Sequence, residues 1–289
     1  MEISDRFQVR ALLEENVPEA VRLSAEAGWN QNENDWRLMT RLGDATGVWT
    51  DAGRLVASAL TLRHGGPFAW ISMVLVTGDF RHQGIATALL RRCTEFLRTK
   101  NLTPGLDATE DGRPVYLPLG FRDIYRLTRL TAEKVASLGA APTMPGIDIR
   151  EVGTDDLEAL SGFDQPFFGA DRSDILKALH QRQLRRAFLA EHRGRIVGYV
   201  LGREGREADQ VGPLVAETTQ IAITLAHRAL ANLTRRVYLD VPDHHQDLVA
   251  WLAGMGLAPQ RRYTRMLLGT SRPLDDPERI FAIAGPELG

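Results

Sequence analysis

Several features that mark other classes of protein are scarce in this sequence of 289 residues. Its single cysteine, Cys93, excludes a disulfide within the chain and is typical of a reducing cytoplasm. No apolar run approaches the roughly 18 residues of a transmembrane helix, and the opening MEISDRFQVR lacks the apolar stretch of a signal peptide. A net charge of −2 gives no general electrostatic reason to bind nucleic acid or membrane, and the basic run 181–186 lacks interleaved aromatics, which indicates a solvated helix face. We therefore expect a cytoplasmic protein with neither of those partners.

The sequence contains two copies of one plan, offset by roughly 140 residues. Residues 53–62 (GRLVASALTL) and 194–203 (GRIVGYVLGR) share Gly-Arg-aliphatic-Val followed by a strand-like run. Each copy also begins with a short strand and a helix, and each ends with a glycine at a fixed interval before a Thr-Arg pair. The pattern predicts a duplicated α/β unit, with a first domain over 1–132, a linker over 133–147 and a second domain over 148–289.

A small-residue turn in the first copy joins a strand to a helix. Residues 68–76 (FAWISMVLV) are long and apolar enough for a central strand, and residues 84–99 have the periodicity of an amphipathic helix. That periodicity makes Cys93 a buried hydrophobe rather than a nucleophile. Between the strand and the helix, Gly84 allows close backbone approach at a helix N-terminus, where N–H groups and the helix dipole favour an anion such as phosphate. A turn that merely packs a helix on a sheet is the alternative.

Known phosphate-loop patterns do not account for this turn. The P-loop pattern is absent because no Gly-Lys-Ser/Thr follows, and the dinucleotide pattern G-x-G-x-x-G is absent as well. Instead, VTGDFRHQGIATALL resembles motif A of the GNAT superfamily of acyl-CoA-dependent N-acetyltransferases, with Val76, Phe80, Arg81, Gly84 and Ala86 in register. The resemblance implies an α/β fold with a central mixed sheet flanked by helices, acetyl-CoA as cosubstrate and no metal.

The resemblance also implies which residues hold acetyl-CoA. The backbone N–H groups of residues 82–87 would cradle its pyrophosphate, and the strand end around Met73–Val76 would pair with its pantetheine arm. The implied contact residues are Leu75, Val76, Arg81, His82, Gln83, Gly84, Ile85, Ala86, Thr87 and Thr109.

A second match to the superfamily lies downstream. In LDATEDGRPVYLPLGF, Tyr116 stands four residues before a Gly-Phe pair, as does the tyrosine that acts in many members as general acid toward the departing CoA thiolate. A phenol suits that role because its ordinary pKa, about 10, keeps it protonated at neutral pH. Thr109 replaces a usual asparagine, Gly112 replaces a usual alanine, and Pro114 shortens or kinks the helix. A packing role for the tyrosine is the alternative.

The sequence indicates the residues that bind the acceptor amine less clearly. By the resemblance, AGWNQNENDW (27–36) borders the acceptor, with Trp29 as an apolar wall and Asn30 as a paired donor and acceptor. In the second copy, Asp171 and Arg172 are predicted to shape the acceptor pocket, with helix capping and core packing as the alternative. An amine must lose a proton to attack a thioester. The candidate bases are Glu33, Asp107 and Glu110, and no motif distinguishes them.

The second copy lacks the chemistry of the first. Its counterpart of motif A, residues 211–226, has no Arg-x-x-Gly-x-Ala, and Pro213 removes a backbone donor. Glu217 adds a negative charge where a phosphate would lie, and Leu252 stands at the position of the tyrosine. The second half therefore resembles a degenerate GNAT-like domain in a tandem bacterial subgroup.

The predicted function is transfer of an acetyl group from acetyl-CoA to the amine of a small or amino-acid-like molecule. The amine would attack directly within a ternary complex, and the protein would be a monomer or homodimer. Two alternatives stay open, which are a non-catalytic acyl-CoA-binding regulatory protein and a protein or peptide N-acetyltransferase.

Overall fold

The computed structural model describes residues 3–4, 6–136, 139, 142, 144–182, 187–231 and 233–289. Part of the predicted linker 133–147 and residues 183–186 of the basic run lie outside these ranges. Among the described residues, no helix is both long and apolar enough to cross a membrane.

The two halves contain the same succession of strands and helices, to which the second half adds a final strand. The strands of the first half are β1 Phe7–Ala11, β2 Gly43–Thr50, β3 Leu55–Arg63, β4 Phe68–Val76, β5 Thr103–Thr109 and β6 Phe121–Ala132. Its helices are α1 Val17–Glu26, α2 Glu33–Leu42, α3 Ile85–Thr99 and α4 Arg113–Tyr116. The strands of the second half are β7 Ile147–Glu151, β8 Phe188–His192, β9 Arg195–Arg203, β10 Asp209–Ala216, β11 Val237–Pro242, β12 Ala258–Leu268 and β13 Ile280–Ala282. Its helices are α5 Leu157–Phe168, α6 Ser173–Arg182, α7 Thr219–Leu230 and α8 Gln246–Gly254.

The strands of both halves form one continuous mixed sheet. Over the described ranges its order is β1-β2-β3-β4-β5-β12-β6-β11-β10-β9-β8-β7, with β13 paired to β10. The pairs β4–β5 and β10–β11 are parallel and their neighbours are antiparallel. The predicted central strand, amphipathic helix and mixed-sheet class are confirmed.

The halves exchange their last long strands at the centre of this sheet. Strand β12 of the second half pairs with β5 of the first, and β6 of the first half pairs with β11 of the second. The Thr-Arg pairs that repeat in the sequence lie on these exchanged strands. Arg129 on β6 forms a bidentate ion pair with Asp240 on β11, and Arg265 on β12 forms the same pair with Asp107 on β5.

Helices cover both faces of the sheet. One apolar cluster joins helices of both halves, because Val17 and Trp36 of α1 and α2 belong to the same buried cluster as Leu160 and Leu179 of α5 and α6. Two further apolar clusters form where α3 packs against β3 and β4 and where α7 packs against β9 and β10. Cys93 on α3 is buried, as its helical face predicts.

Candidate active site

Strands β4 and β5 separate partway along their length. Their parallel pairing runs from Phe68 opposite Thr103 to Trp70 opposite Gly105. Beyond that point β4 contains a bulge, where Met73 adopts a φ of 51° and one extra residue is accommodated against β3. The hydroxyl of Ser58 on β3 donates to the Met73 carbonyl at 2.8 Å and holds the bulge. The strands are therefore open to one another toward their C-terminal ends.

A cavity of about 500 Å³, counting its open mouth, lies at this opening. The first half lines it with residues 29–31 before α2, 71–74 of β4, and side chains of β5, α4 and β6. The second half contributes Tyr263, Pro286 and Glu287. Two cavity-lining polar atoms, Gln31 Oε1 and Ser72 Oγ, have no hydrogen-bond partner in the described structure although both side chains are more than nine-tenths buried. Because buried polar groups are ordinarily hydrogen-bonded, these two atoms mark where a ligand can bind.

The loop after β4 is fixed by contacts with its surroundings. A 3₁₀ turn over Gly78–Phe80 follows the strand, and Arg81 Nε donates back to the Val76 carbonyl at 3.0 Å. The Glu26 carboxylate on α1 accepts from the Thr77 hydroxyl at 2.6 Å and from the Gly78 N–H at 2.7 Å. These hydrogen bonds, that from Thr77 first, lower the pKa of Glu26. No motif pointed to this residue, which fixes the turn leading into α3.

The N-terminus of α3 suits an anion. Gly84 is its N-cap residue at a φ of 78°, a conformation that favours glycine, and no side chain caps the helix there. The first-turn N–H groups at residues 85–87 therefore keep the positive end of the helix dipole available. Of the predicted acetyl-CoA contacts, Leu75 and Val76 end β4, while residues 81–87 form the loop and the first turn of α3. They continue along the chain from the cavity wall at Val74.

The corresponding region of the second half is occupied by the chain itself. The Thr218 hydroxyl caps α7 by accepting from the Ile221 N–H at 3.3 Å, and the Glu217 carboxylate pairs with Arg195. Strand β13 lies against β10 beyond its short parallel pairing with β11, and Ile283 N–H donates to the Asp240 carbonyl of β11 at 3.0 Å. The opening that is accessible in the first half is thus filled by residues 280–283 in the second.

Tyr116 lies at the end of α4 and lines the cavity. Burial raises the pKa of its phenol to about 12. A Cβ at Gly112 would lie 3.1 Å from the Tyr116 hydroxyl, so the glycine at this position lets the phenol pack against the turn. Thr109, also at the cavity, accepts the Gly112 N–H on its hydroxyl at 3.1 Å. Pro114 is in the first turn, where proline is tolerated, and the helix is only one turn long.

The predicted acceptor residues of the first half have different roles. Trp29 lines the cavity, and its carbonyl accepts from Arg206 of the second half at 3.0 Å. Asn30 also lines the cavity, but its amide makes three hydrogen bonds to the backbone of Glu207 and Ala208. These hydrogen bonds join the two halves, and binding of the acceptor by Asn30 stays a prediction.

Asp171 and Arg172 lie outside the residues that line this cavity, and their predicted role in shaping the acceptor pocket stays a prediction. Asp171 accepts the Ser173 N–H at 2.8 Å at the start of α6. Arg172 is buried in a bidentate ion pair with Asp164 and stacks on the Phe168 ring at 3.9 Å. The alternative of capping and core packing describes both residues.

The three predicted bases differ in their environments. Glu33 is exposed and paired with Arg37, and Glu110 is exposed at the end of β5. Asp107 lines the cavity but is buried in its ion pair with Arg265; burial raises its pKa while the guanidinium opposes that shift. Within the described ranges, no group of three or more His, Cys, Asp or Glu side chains is arranged to hold a metal ion.

Glu287 is a cavity-lining carboxylate that the sequence did not reveal. Burial raises its pKa, and the nearby Arg203 guanidinium, with which it pairs, opposes the shift. No sequence motif includes Glu287, because the segment around it has no recognisable pattern and lies far from the first half in sequence.

Comparisons with known proteins show which family each half resembles. Residues 9–121 match the model of the acetyltransferase (GNAT) family, and residues 161–282 match that of an acetyltransferase (GNAT) domain. A Bacillus subtilis relative, described as the uncharacterized N-acetyltransferase YitH, is 25% identical over 281 residues, covering 96% of this chain and 97% of its own length.

Solved structures share the fold along the whole chain. A putative acetyltransferase from Pyrococcus horikoshii superposes with a TM-score of 0.79 at 19% identity, covering 100% of this chain and 98% of its own. A tandem GNAT protein from the clavulanic acid biosynthesis pathway superposes with a TM-score of 0.61 at 18% identity, covering 90% and 98%. The duplicated arrangement is therefore present in other tandem proteins.

Proposed function

Because this chain belongs to the GNAT family of acetyltransferases, we propose that its first half transfers the acetyl group of acetyl-CoA to the amine of a small polar molecule. The observation that carries the proposal is the continuity of three features. The uncapped N-terminus of α3 adjoins the end of β4, β4 separates from β5, and the cavity at that separation holds Tyr116.

The residues present fit acetyl-CoA. The N–H groups of residues 82–87 would hold its diphosphate at the helix N-terminus, and the free edge of β4 near Val74 would pair with its pantetheine arm. When bound, acetyl-CoA supplies an acyl thioester. The second half offers no equivalent place, because Thr218 caps α7 and residues 280–283 fill the opening.

The chemistry assigned to this chain is proton transfer and orientation. Tyr116 protonates the leaving thiolate, and its pKa of about 12 keeps the proton on the phenol at working pH. Backbone N–H groups at the bulge around Met73 would stabilise the developing charge on the thioester carbonyl oxygen. Cys93 is buried and its pKa is raised to about 12, so an acyl-cysteine step is unsuited and direct attack by the amine is proposed.

The acceptor is proposed to be small and polar. The cavity has a volume of about 500 Å³ and is lined by residues of both halves, which favours a small molecule over a protein segment. Gln31 Oε1 and Ser72 Oγ require partners, so the acceptor should carry hydrogen-bonding groups in addition to its amine.

The test is a measurement of CoA release over a panel of small amines with a thiol-reactive dye, for which the buried Cys93 adds little background. We expect release with at least one polar amine. Binding of acetyl-CoA without release for any amine would favour the acyl-CoA-binding regulatory alternative.

A matched pair of variants tests the diphosphate loop. Gly84 and Gly194 have φ values of 78° and 74°, so a glutamate strains both sites alike, but only the first adds negative charge at α3. Gly84→Glu should weaken acetyl-CoA binding in calorimetry by about tenfold, since a charge at a helix terminus contributes up to ~2 kcal/mol. Gly194→Glu should leave the Kd unchanged, and equal affinities would contradict the loop assignment.

A further inference from the structure

Residues 283–289 of the second half extend from its own sheet into the first half. Strand β13 fills the opening between β10 and β11, and Gly212 makes room for it, because a Cβ there would lie 2.1 Å from the Ile283 carbonyl. The segment then turns through Gly285, whose carbonyl accepts from Leu288 N–H at 3.0 Å. The part of the second half that would hold a cosubstrate is thus replaced by a strand that leads elsewhere.

This segment is anchored on the first half. Trp70 Nε1 of β4 donates to the Pro286 carbonyl at 2.9 Å, directly where the pairing of β4 and β5 ends. At the end of the segment, the Gly289 oxygen accepts from Arg172 of the second half at 3.4 Å, so the segment is held from both halves. These contacts place Glu287 at the wall of the cavity that also holds Tyr116.

We propose that Glu287, which the second half delivers into the cavity of the first, is the group that takes the proton from the acceptor amine. This inference rests on the proposed function. Glu287 shares the cavity with the two buried, unpartnered polar atoms, Gln31 Oε1 and Ser72 Oγ, that mark the acceptor end. The other cavity-lining carboxylate, Asp107, is fully engaged by the bidentate Arg265.

The surrounding charges suit a proton acceptor. Arg203 is divided between two carboxylates, because its Nε binds Asp35 at 2.9 Å while its Nη2 binds Glu287. Burial raises the pKa of Glu287, and Asp35 raises it further, against the attraction of Arg203. The titratable and charged groups around Glu287 come from six elements and are Asp35, Asp107, Tyr116, Arg129, Arg203 and Tyr263.

The proton and electron balance is complete with these residues. An ammonium acceptor loses one proton to the Glu287 carboxylate, and its nitrogen lone pair then forms the C–N bond to the thioester carbon. The C–S bond breaks, and the thiolate leaves with a proton from Tyr116. As the amide forms, the nitrogen loses its second proton, which crosses the cavity to the Tyr116 phenolate and restores the phenol. Glu287 then returns its own proton to solvent.

The test is Glu287→Gln, which keeps shape and removes the base. We expect kcat/KM at pH 7 to fall by at least about 100-fold, the usual scale of general-base catalysis. A wild-type base with a raised pKa is active above that pKa and inactive below it, so the wild-type rate should rise with pH through an acid limb. That limb should vanish in Glu287→Gln and persist, at a shifted pH, in Glu287→Asp.

Two further measurements do not depend on turnover. Acetyl-CoA affinity by calorimetry should be unchanged in Glu287→Gln, which also establishes that the variant is folded. In ¹³C-carboxylate NMR of the ligand-free protein, one glutamate resonance that titrates above the ordinary pKa of about 4.3 should disappear in that variant. Glu217→Gln, a surface glutamate paired with Arg195, is the matched control and should behave as wild type.

The outcomes separate the two proposals. An active wild type whose pH profile is unchanged in Glu287→Gln, or a Glu287 resonance that titrates at the ordinary value, would overturn this inference alone. If Glu287→Gln does not fold, the profile of Glu287→Asp and the wild-type NMR titration decide. If none of the amines in the panel leads to CoA release by the wild type, the proposed function itself would be overturned.

Discussion

Tyr116 depends on a neighbouring glycine for its place at the cavity. A Cβ at Gly112 would crowd both the Tyr116 hydroxyl at 3.1 Å and the Thr109 hydroxyl at 3.2 Å. In the sequence, Gly112 departs from the family pattern, which usually has an alanine at this position. In the structure it permits a one-turn helix to hold the phenol against the turn, where burial raises its pKa to about 12.

Tyr116→Phe tests the general acid. We expect kcat to fall by about 100-fold with little change in the KM for acetyl-CoA, because the phenol acts only on the leaving group. The pKa is raised, so the protonated, competent form persists below it and is lost only as the pH rises through about 12. The wild-type rate should therefore show no alkaline loss due to this group up to about pH 11.

The competing phenol is Tyr263, which lines the same cavity and whose pKa burial also raises to about 12. A large loss of kcat in Tyr263→Phe together with an unaffected Tyr116→Phe would transfer the role of general acid to Tyr263.

At single residues, the sequence predicts sites that depend on local pattern. Gly84 and Tyr116 were predicted because each has a characteristic spacing within its own strand-turn-helix segment, which backbone geometry fixes. Glu287 carries no such pattern, since only the folded path of residues 283–289 brings it to the cavity. Asn30 was predicted as a paired donor and acceptor for the acceptor, and the sequence does not show that its amide oxygen also accepts from the backbone of Glu207 and Ala208.

At the scale of secondary-structure elements, the separation of β4 from β5 begins at a close contact between Trp70 and Gly105. A Cβ on Gly105 would lie 2.6 Å from Cζ3 of Trp70 and 3.0 Å from a Leu267 methyl group. The same indole carries the Arg265 guanidinium at 4.5 Å and donates to Pro286. The end of the strand pairing, the buried ion pair and the segment bearing Glu287 therefore share one side chain.

Gly105→Ala should destabilise the protein by about 1–3 kcal/mol, because an extra methyl group in a packed core forces its neighbours to shift. Gly162→Ala is the matched control, since this helical glycine in α5 has nothing within 4 Å of its missing Cβ. The control should be neutral or stabilising by up to about 1 kcal/mol. Urea unfolding measures both, and equal losses of stability would contradict the assigned contact.

The strands and helices themselves were easier to predict than which strands pair with one another in the sheet. Apolar, strand-like runs indicated β3, β4 and β9, and helical periodicity indicated α3, because these patterns depend only on local burial. Periodicity does not say which strand lies beside β6 or β12. The repeated Thr-Arg pairs were visible, but their meaning required the structure, where Arg129 and Arg265 each bind an aspartate on a strand of the other half.

At the scale of the whole molecule, the strand exchange makes each half incomplete without the other. Removing the second half takes β12 away from β5 and leaves β6 without either of its neighbours. It also leaves Asp107 without Arg265, and breaking a buried pair in this way costs about 3–5 kcal/mol. The apolar cluster shared by α1, α2, α5 and α6 would be divided as well.

Neither half should therefore fold alone. Fragments 1–136 and 144–289 expressed separately should lack a cooperative thermal transition, because the losses above are comparable to the roughly 5–15 kcal/mol that stabilises a whole domain. Co-expressed, they should form a one-to-one complex that binds acetyl-CoA, since the exchanged strands and both Arg–Asp pairs are restored. Size-exclusion chromatography and calorimetry measure both properties. A folded fragment 1–136 that binds acetyl-CoA by itself would contradict the interdependence.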